Sequence, residues 1–135
     1  METKIIRSLL FINAFFIPFF SYSQTANDKI KYMKKYAYCD CIYVNNNKFD
    51  TEYLNDKFQI SDKSSNQFIH LGKIYEDESK EIRKFTEKIT ASYYFFESSY
   101  YSENGRSNTI TSMCLEFYES KELDDFIRKL SLKKK

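Results

Sequence analysis

Two glycines and a single proline in 135 residues leave this chain few ways to turn sharply. The proline, Pro18, lies near the start, so the remaining 117 residues have none. β-Sandwiches and barrels need turn residues between many short strands, and helices do not. The apolar spacing agrees with helices. Ile30, Met33, Ala37, Cys41 and Val44 recur at steps of three and four, one face of a helix, with an end expected near Asn45, Asn46 and Asn47. Lys29, Lys31, Lys34, Lys35 and Asp40 fall on the other side and predict a solvated face.

Further segments follow the same rule. Asp50 is placed to cap a short helix carrying Tyr53, Leu54 and Phe58. Ser61 or Asp62 caps another, with Ser64, Ser65, Phe68 and Leu71 inward and Gly72 expected at a left-handed end. The longest stripe, Ile82, Phe85, Ile89, Tyr93, Phe96 and Tyr100, predicts five turns. It starts in an acidic patch (Glu76, Asp77, Glu78, Glu81) suited to a helix N-terminus. A polar loop at SENGRSN interrupts the chain. Ile110, Met113, Cys114 and Phe117 then predict a helix, and Ser120 opens a last one with Leu123, Phe126, Ile127 and Leu130 buried. The fold class is all-α, a small bundle of four to five helices.

The first residues have the order of a secretory signal. Lys4 and Arg7 precede an apolar run from Ser8 to Phe20, and Ser21 and Ser23 stand at −3 and −1 before Gln24. That run is shorter than the roughly 20 residues that span a bilayer, and no cysteine at the boundary suggests a lipid anchor. The expected division is a signal peptide at residues 1–23 and one helical domain at 24–135, located in the periplasm. No membrane association is expected after signal removal. Without the signal, 19 basic and 18 acidic side chains remain. This balance lacks the basic stripe of a nucleic-acid binder. Lys133, Lys134 and Lys135 read as a solvated tail.

In an oxidising space, cysteines form crosslinks. Cys39 and Cys41, about 200° apart on a helix, cannot chelate one ion together. Three cysteines and one histidine, His70, are a poor set for zinc, and a Cys-x-x-Cys redox motif is absent. No catalytic triad is legible. No enzyme activity, metal or cofactor is expected. Cys41 and Cys114 both lie on apolar stripes, so they are the expected disulfide, between the first and penultimate helices. Cys39 is left as a spare thiol or a crosslink to a second copy.

These residues resemble a known family. YCDCIYV followed by SMCLEFYESKELDDFIRKL is similar to the immunity proteins that protect bacteria against type VI secretion amidase effectors. Met113 to Leu130 carries most of the likeness. Ala37 to Ile42 is similar to the family's first cysteine region, with Cys41 at the cysteine, and Ser64, Ser65, Phe68 and Gly72 to its central pattern. Cys39 departs from the small polar residue usual there, and Asn45 to Ile60 matches nothing in it. The resemblance implies a periplasmic helical inhibitor, often a homodimer, of an NlpC/P60-like peptidoglycan amidase. It also implies that the loop Tyr100, Tyr101, Ser102, Glu103, Asn104, Gly105, Arg106, Ser107 and Asn108 enters the amidase's catalytic groove. Tyrosine and arginine are hot-spot residues, and Glu103 would face the catalytic histidine. The alternative is a periplasmic helical carrier of an apolar ligand, motivated by 12 tyrosines and 13 phenylalanines.

Overall fold

The computed structural model describes residues 2–96, 98 and 107–133, with residues 2–24 as backbone only. Six α-helices and two 3-10 turns are present among the described residues. They are α1 (Glu2–Phe49), α2 (Lys57–Ser61), α3 (Ser64–Gly72), α4 (Glu76–Ile89), α5 (Ile110–Glu119) and α6 (Lys121–Ser131). The 3-10 turns are Thr51–Asn55 and Tyr93–Phe95. This is the expected all-α bundle.

One helix organises the rest. α1 packs against α3, α4, α5 and α6, so its C-terminal half is surrounded rather than one-sided. Met33, Ala37, Cys41 and Val44 are buried as the spacing requires, and Tyr36 joins them. All of these but Val44 meet Ile74, Ile82, Ile110, Cys114, Phe117, Leu123, Ile127 and Leu130 in one core. α1 runs unbroken across Ser23 and Gln24. Its residues Thr25 to Asp28 are exposed, and Ile30 already packs on the core. Among the described residues no helix is long and apolar enough to cross a membrane.

The predicted disulfide is present. Cys41 of α1 and Cys114 of α5 are bonded across 73 residues of chain, with Cα atoms 5.8 Å apart. Both sulfurs are fully buried, and Cys39 is free. Behind this crosslink, Phe85 of α4 stacks on Phe126 of α6 at 3.9 Å and 2°. Burying such rings supplies much of a small core's stabilisation.

The helix ends show where side chains overrule simple periodicity. α1 passes the three asparagines to Phe49 because Asn45 is a buried clamp. Its Nδ2 donates to the Cys41 carbonyl at 3.0 Å and to Thr90 Oγ1 at 2.9 Å. Thr90 Oγ1 in turn donates to the Thr86 carbonyl at 2.8 Å, so the ends of α1 and α4 are tied together. α4 therefore stops at Ile89 and does not reach Tyr100. The residues after it, rich in serine and aromatics, favour a helix weakly, and Phe95 and Phe96 are exposed. At the other end of α4, Glu78 accepts from its own capping backbone N–H at Tyr75 and from Lys29 Nζ, at 2.9 and 2.7 Å.

Capping elsewhere follows the sequence in part, since α3 begins after Lys63, which makes no side-chain cap bond, and not directly after Ser61 or Asp62. Asp50 Oδ1 accepts from Glu52 N–H, but what it caps is the 3-10 turn. Asp56 then caps α2. Asp62 Oδ1 accepts from the N–H and hydroxyl of Ser64 at the start of α3. Ser120 closes α5 and opens α6, donating to the Phe117 carbonyl and accepting from Leu123 N–H.

Three expectations need correction. Leu71 is exposed, because α3 presents Phe68 and Ile69 to the core instead. The left-handed residue after α3 is Lys73, at φ 47°, and Gly72 is the last helical residue. Gly72 is needed for close approach: a Cβ there would lie 2.8 Å from Tyr32 Cβ on α1 and 3.0 Å from Ile74 Cγ1. Asp40 is not on a solvated face, since its side chain is 1% exposed and paired to Arg83 of α4.

Two stability outcomes follow. Replacing both Cys41 and Cys114 by alanine should cost about 4 kcal/mol in the loop-entropy picture, read by urea denaturation of the oxidised protein. Gly72→Ala should cost about 1–3 kcal/mol by forcing α3 away from Tyr32; an unchanged midpoint would contradict the close contact.

Candidate functional site

Two features stand outside the packed core: the region expected to carry a blocking loop, and a cleft on the opposite use of α1. Of the expected loop, Tyr100, Tyr101, Ser102, Glu103, Asn104, Gly105 and Arg106 lie outside the described residues. Ser107 and Asn108 are described, and they form its base. Ser98 N–H donates to the Ser107 carbonyl at 3.2 Å, and Thr109 N–H to the Phe96 carbonyl at 3.4 Å. Ser107 Oγ donates to the Ser98 carbonyl. Asn108 Oδ1 accepts from Ile110 N–H at 3.2 Å, at the first residue of α5. The two arms are thus paired antiparallel where they leave the bundle. Exposed Phe95 and Phe96 stand on one arm, and Tyr94 packs on Phe95 with ring centres 4.0 Å apart.

The second feature is a cleft of about 860 Å³ between α1 and the segment from Tyr53 to Phe68. Tyr38, Cys39, Ile42 and Tyr43 of α1 form one wall. Tyr53, Leu54 and Ile60 form the other, and Leu115 and Tyr118 of α5 close an end. Exposed Leu54, Ile60 and Leu115 make an apolar lip. Asp40 and Arg83 also line it. The lining is mixed and open to solvent, unlike the enclosed dry cavity that a carrier of an apolar ligand calls for.

The electrostatics of the cleft centre on that ion pair. Arg83 Nη2 donates to Asp40 Oδ1 at 2.5 Å, and the guanidinium lies over the Tyr43 ring, 5.4 Å from its centre. Asp40 Oδ2 is buried and accepts from no group among the described residues. Burial raises the Asp40 pKa to about 6, against the opposing pull of Arg83. Burial also raises the Tyr36 pKa, with the charge of Asp40 adding to the effect. The Cys39 thiol is pushed up by burial as well, against a lowering influence of Ser65. A thiol held protonated is a weak nucleophile. His70 is exposed on α3, and Cys114 is held in the disulfide. Among the described residues no group of histidine, cysteine and acidic side chains is arranged to hold a metal.

Sequence reasoning found the disulfide, and it missed the cleft. A signal existed. Lys35, Tyr38, Cys39, Ile42 and Tyr43 form a second stripe at steps of three and four beside the core stripe. A one-sided helix has no use for it. Asp40 and Arg83, on different helices, gave no local sign of their pairing.

No family model matches the chain, and neither curated proteins nor solved structures include a match.

The raised Asp40 pKa has a testable sign. A buried acid with a folded pKa of about 6 and an unfolded pKa near 3.9 favours the folded state at low pH. Its contribution is lost as pH rises from about 4 towards 6. Denaturation at a series of pH values should show Asp40→Asn gaining stability relative to the parent over that window, by on the order of 2 kcal/mol at most. A pH-independent difference would refute the assignment.

Proposed function

We propose that this chain is an immunity protein that binds and occludes the active site of a type VI secreted peptidoglycan amidase, protecting the producing cell or its kin. It has no active site of its own. It acts in the periplasm, reached through a cleavable signal peptide, and works alone or as a homodimer. The observation that carries the reading is the Cys41–Cys114 bond. It joins the two segments on which the family resemblance rests, YCDCIYV in α1 and the α5–α6 stretch from Met113 to Leu130. A buried disulfide also suits the oxidising space where the cell wall lies.

The paired base at Ser98 and Ser107 supports the loop as the blocking element. Its arms leave the bundle beside the crosslinked helix, so the segment between them emerges from a stiff platform. Stiffness lowers the ordering cost of binding. Protection of a cell calls for affinity on the order of 1 nM, about 12 kcal/mol. A few aromatic and arginine contacts can dominate such a total.

The test is co-purification with the secreted amidase encoded beside this gene, followed by a peptidoglycan hydrolysis assay. Replacing 100–106 by a short glycine–serine linker should leave the far-ultraviolet spectrum and melting unchanged. It should weaken inhibition at least about a hundredfold, roughly 3 kcal/mol. Full inhibition by that variant rejects the loop as the plug, and failure to bind any such amidase rejects the whole reading.

A further inference from the structure

The polar tie between the ends of α1 and α4 leaves two atoms over. Asn45, Thr86 and Thr90 are all fully buried. Asn45 Nδ2 directs its N–H groups at the Cys41 carbonyl and at Thr90 Oγ1, and the Thr90 hydroxyl donates to the Thr86 carbonyl. This chain of bonds reaches neither the amide oxygen of Asn45 nor the hydroxyl of Thr86. Asn45 Oδ1 and Thr86 Oγ1 are buried and have no hydrogen-bond partner among the described residues. Asp40 Oδ2 shares that condition, but its carboxylate is already paired to Arg83, whereas the two neutral groups have nothing.

Buried polar atoms in folded proteins are nearly always satisfied, by protein or by ordered water. The chemistry of these two is complementary. Asn45 Oδ1 can only accept, and the Thr86 hydroxyl has a proton to give. Both belong to one small neighbourhood. Thr86 precedes Thr90 by a single helical turn, which puts their Cβ atoms roughly 5–6 Å apart, and the Asn45 amide touches Thr90 Oγ1 at 2.9 Å. A molecule that bonds both must donate to one oxygen, accept from the other, carry no charge and be very small. Water meets all four demands. With bonds of about 2.8 Å on either side it spans oxygens up to about 5–6 Å apart. A chain of 135 residues ordinarily holds about five internal waters, and this tie calls for one. The Thr86 hydroxyl has a rival acceptor in the Ile82 carbonyl, one turn back. That bond would still leave Asn45 Oδ1 alone, while a water serves both.

We infer that one internal water molecule is bound between α1 and α4, donating to Asn45 Oδ1 and accepting from Thr86 Oγ1. It completes the tie that joins the ends of the two helices, so the junction is sealed by a bridging water as well as by side chains. The site is separate from the cleft and from the proposed blocking loop, and stands whether or not that reading holds.

The experiment is neutron diffraction from a deuterium-exchanged crystal of the full oxidised chain, which shows the hydrogens of the water and of the hydroxyl directly. The expected result is a water within about 3.2 Å of both Asn45 Oδ1 and Thr86 Oγ1. One of its deuterons should point at Asn45 Oδ1, and the Thr86 deuteron should point at the water. X-ray structures of two variants complete the test. Thr86→Val keeps the shape of the side chain and removes the hydroxyl, and should lose the water. Thr86→Ser keeps the hydroxyl and should retain it. No water between the two atoms in the parent chain, or a Thr86 deuteron aimed at the Ile82 carbonyl, overturns the site, and this reading needs no variant to fold. A water that persists unchanged in Thr86→Val overturns the part assigned to Thr86.

Discussion

The junction of α1 with α5 is the constraint on which the other contacts depend. α1 must be covered on several sides, and nothing in the local chain holds α5 against it, since 73 residues separate the two cysteines. A covalent bond at the centre of the core fixes that long-range contact. The α5–α6 hairpin then follows through Ser120, and α4 is set against it by Phe85 on Phe126. Polar ties finish the frame. Asn45 with Thr90, Lys29 with Glu78 and Asp40 with Arg83 all run from α1 to α4. The last two are ion pairs with a buried carboxylate. Such pairs add specificity of register more dependably than stability.

Much of this frame was legible in the residues, because helical spacing and burial are coupled directly. The core stripe of α1, the acidic start of α4, the opening of α6 at Ser120 and the pairing of Cys41 with Cys114 all came from periodicity and capping. What escaped was decided between helices. Asn45 reads as a helix terminator because asparagine favours ends, yet inside the core its Nδ2 finds an acceptor in Thr90, the residue that caps α4. Asp40 reads as surface because charges are rarely buried, yet Arg83, 43 residues later, draws it in. Gly72 reads as a left-handed cap, while the demand it meets is the nearness of Tyr32 on another helix. The aromatic run after Ile89 extends the stripe on paper, but the Thr90 clamp turns the chain away. The cleft, too, belongs to this class: its two walls come from separate elements.

The described residues supply a crosslinked body and, at Ser98 and Ser107, the paired base of the segment between the tyrosine-rich stretch and α5. The cleft adds a second, recessed surface of different chemistry, with a neutral ion-paired floor in place of a polar, arginine-bearing loop.

The corner at Ser120 has an evolutionary meaning as well. A single residue ends one helix and begins the next, its hydroxyl serving both. One inserted amino acid would rotate everything after it by about 100° and carry Leu123, Ile127 and Leu130 out of the core. Relatives of this chain should therefore vary in length along the arm around Thr51–Asn55, which is exposed and separately capped, and keep a constant spacing between Cys114 and Leu130. The hairpin behaves as a ruler within the sequence, and a search keyed to that fixed interval would reach kin that overall similarity passes by.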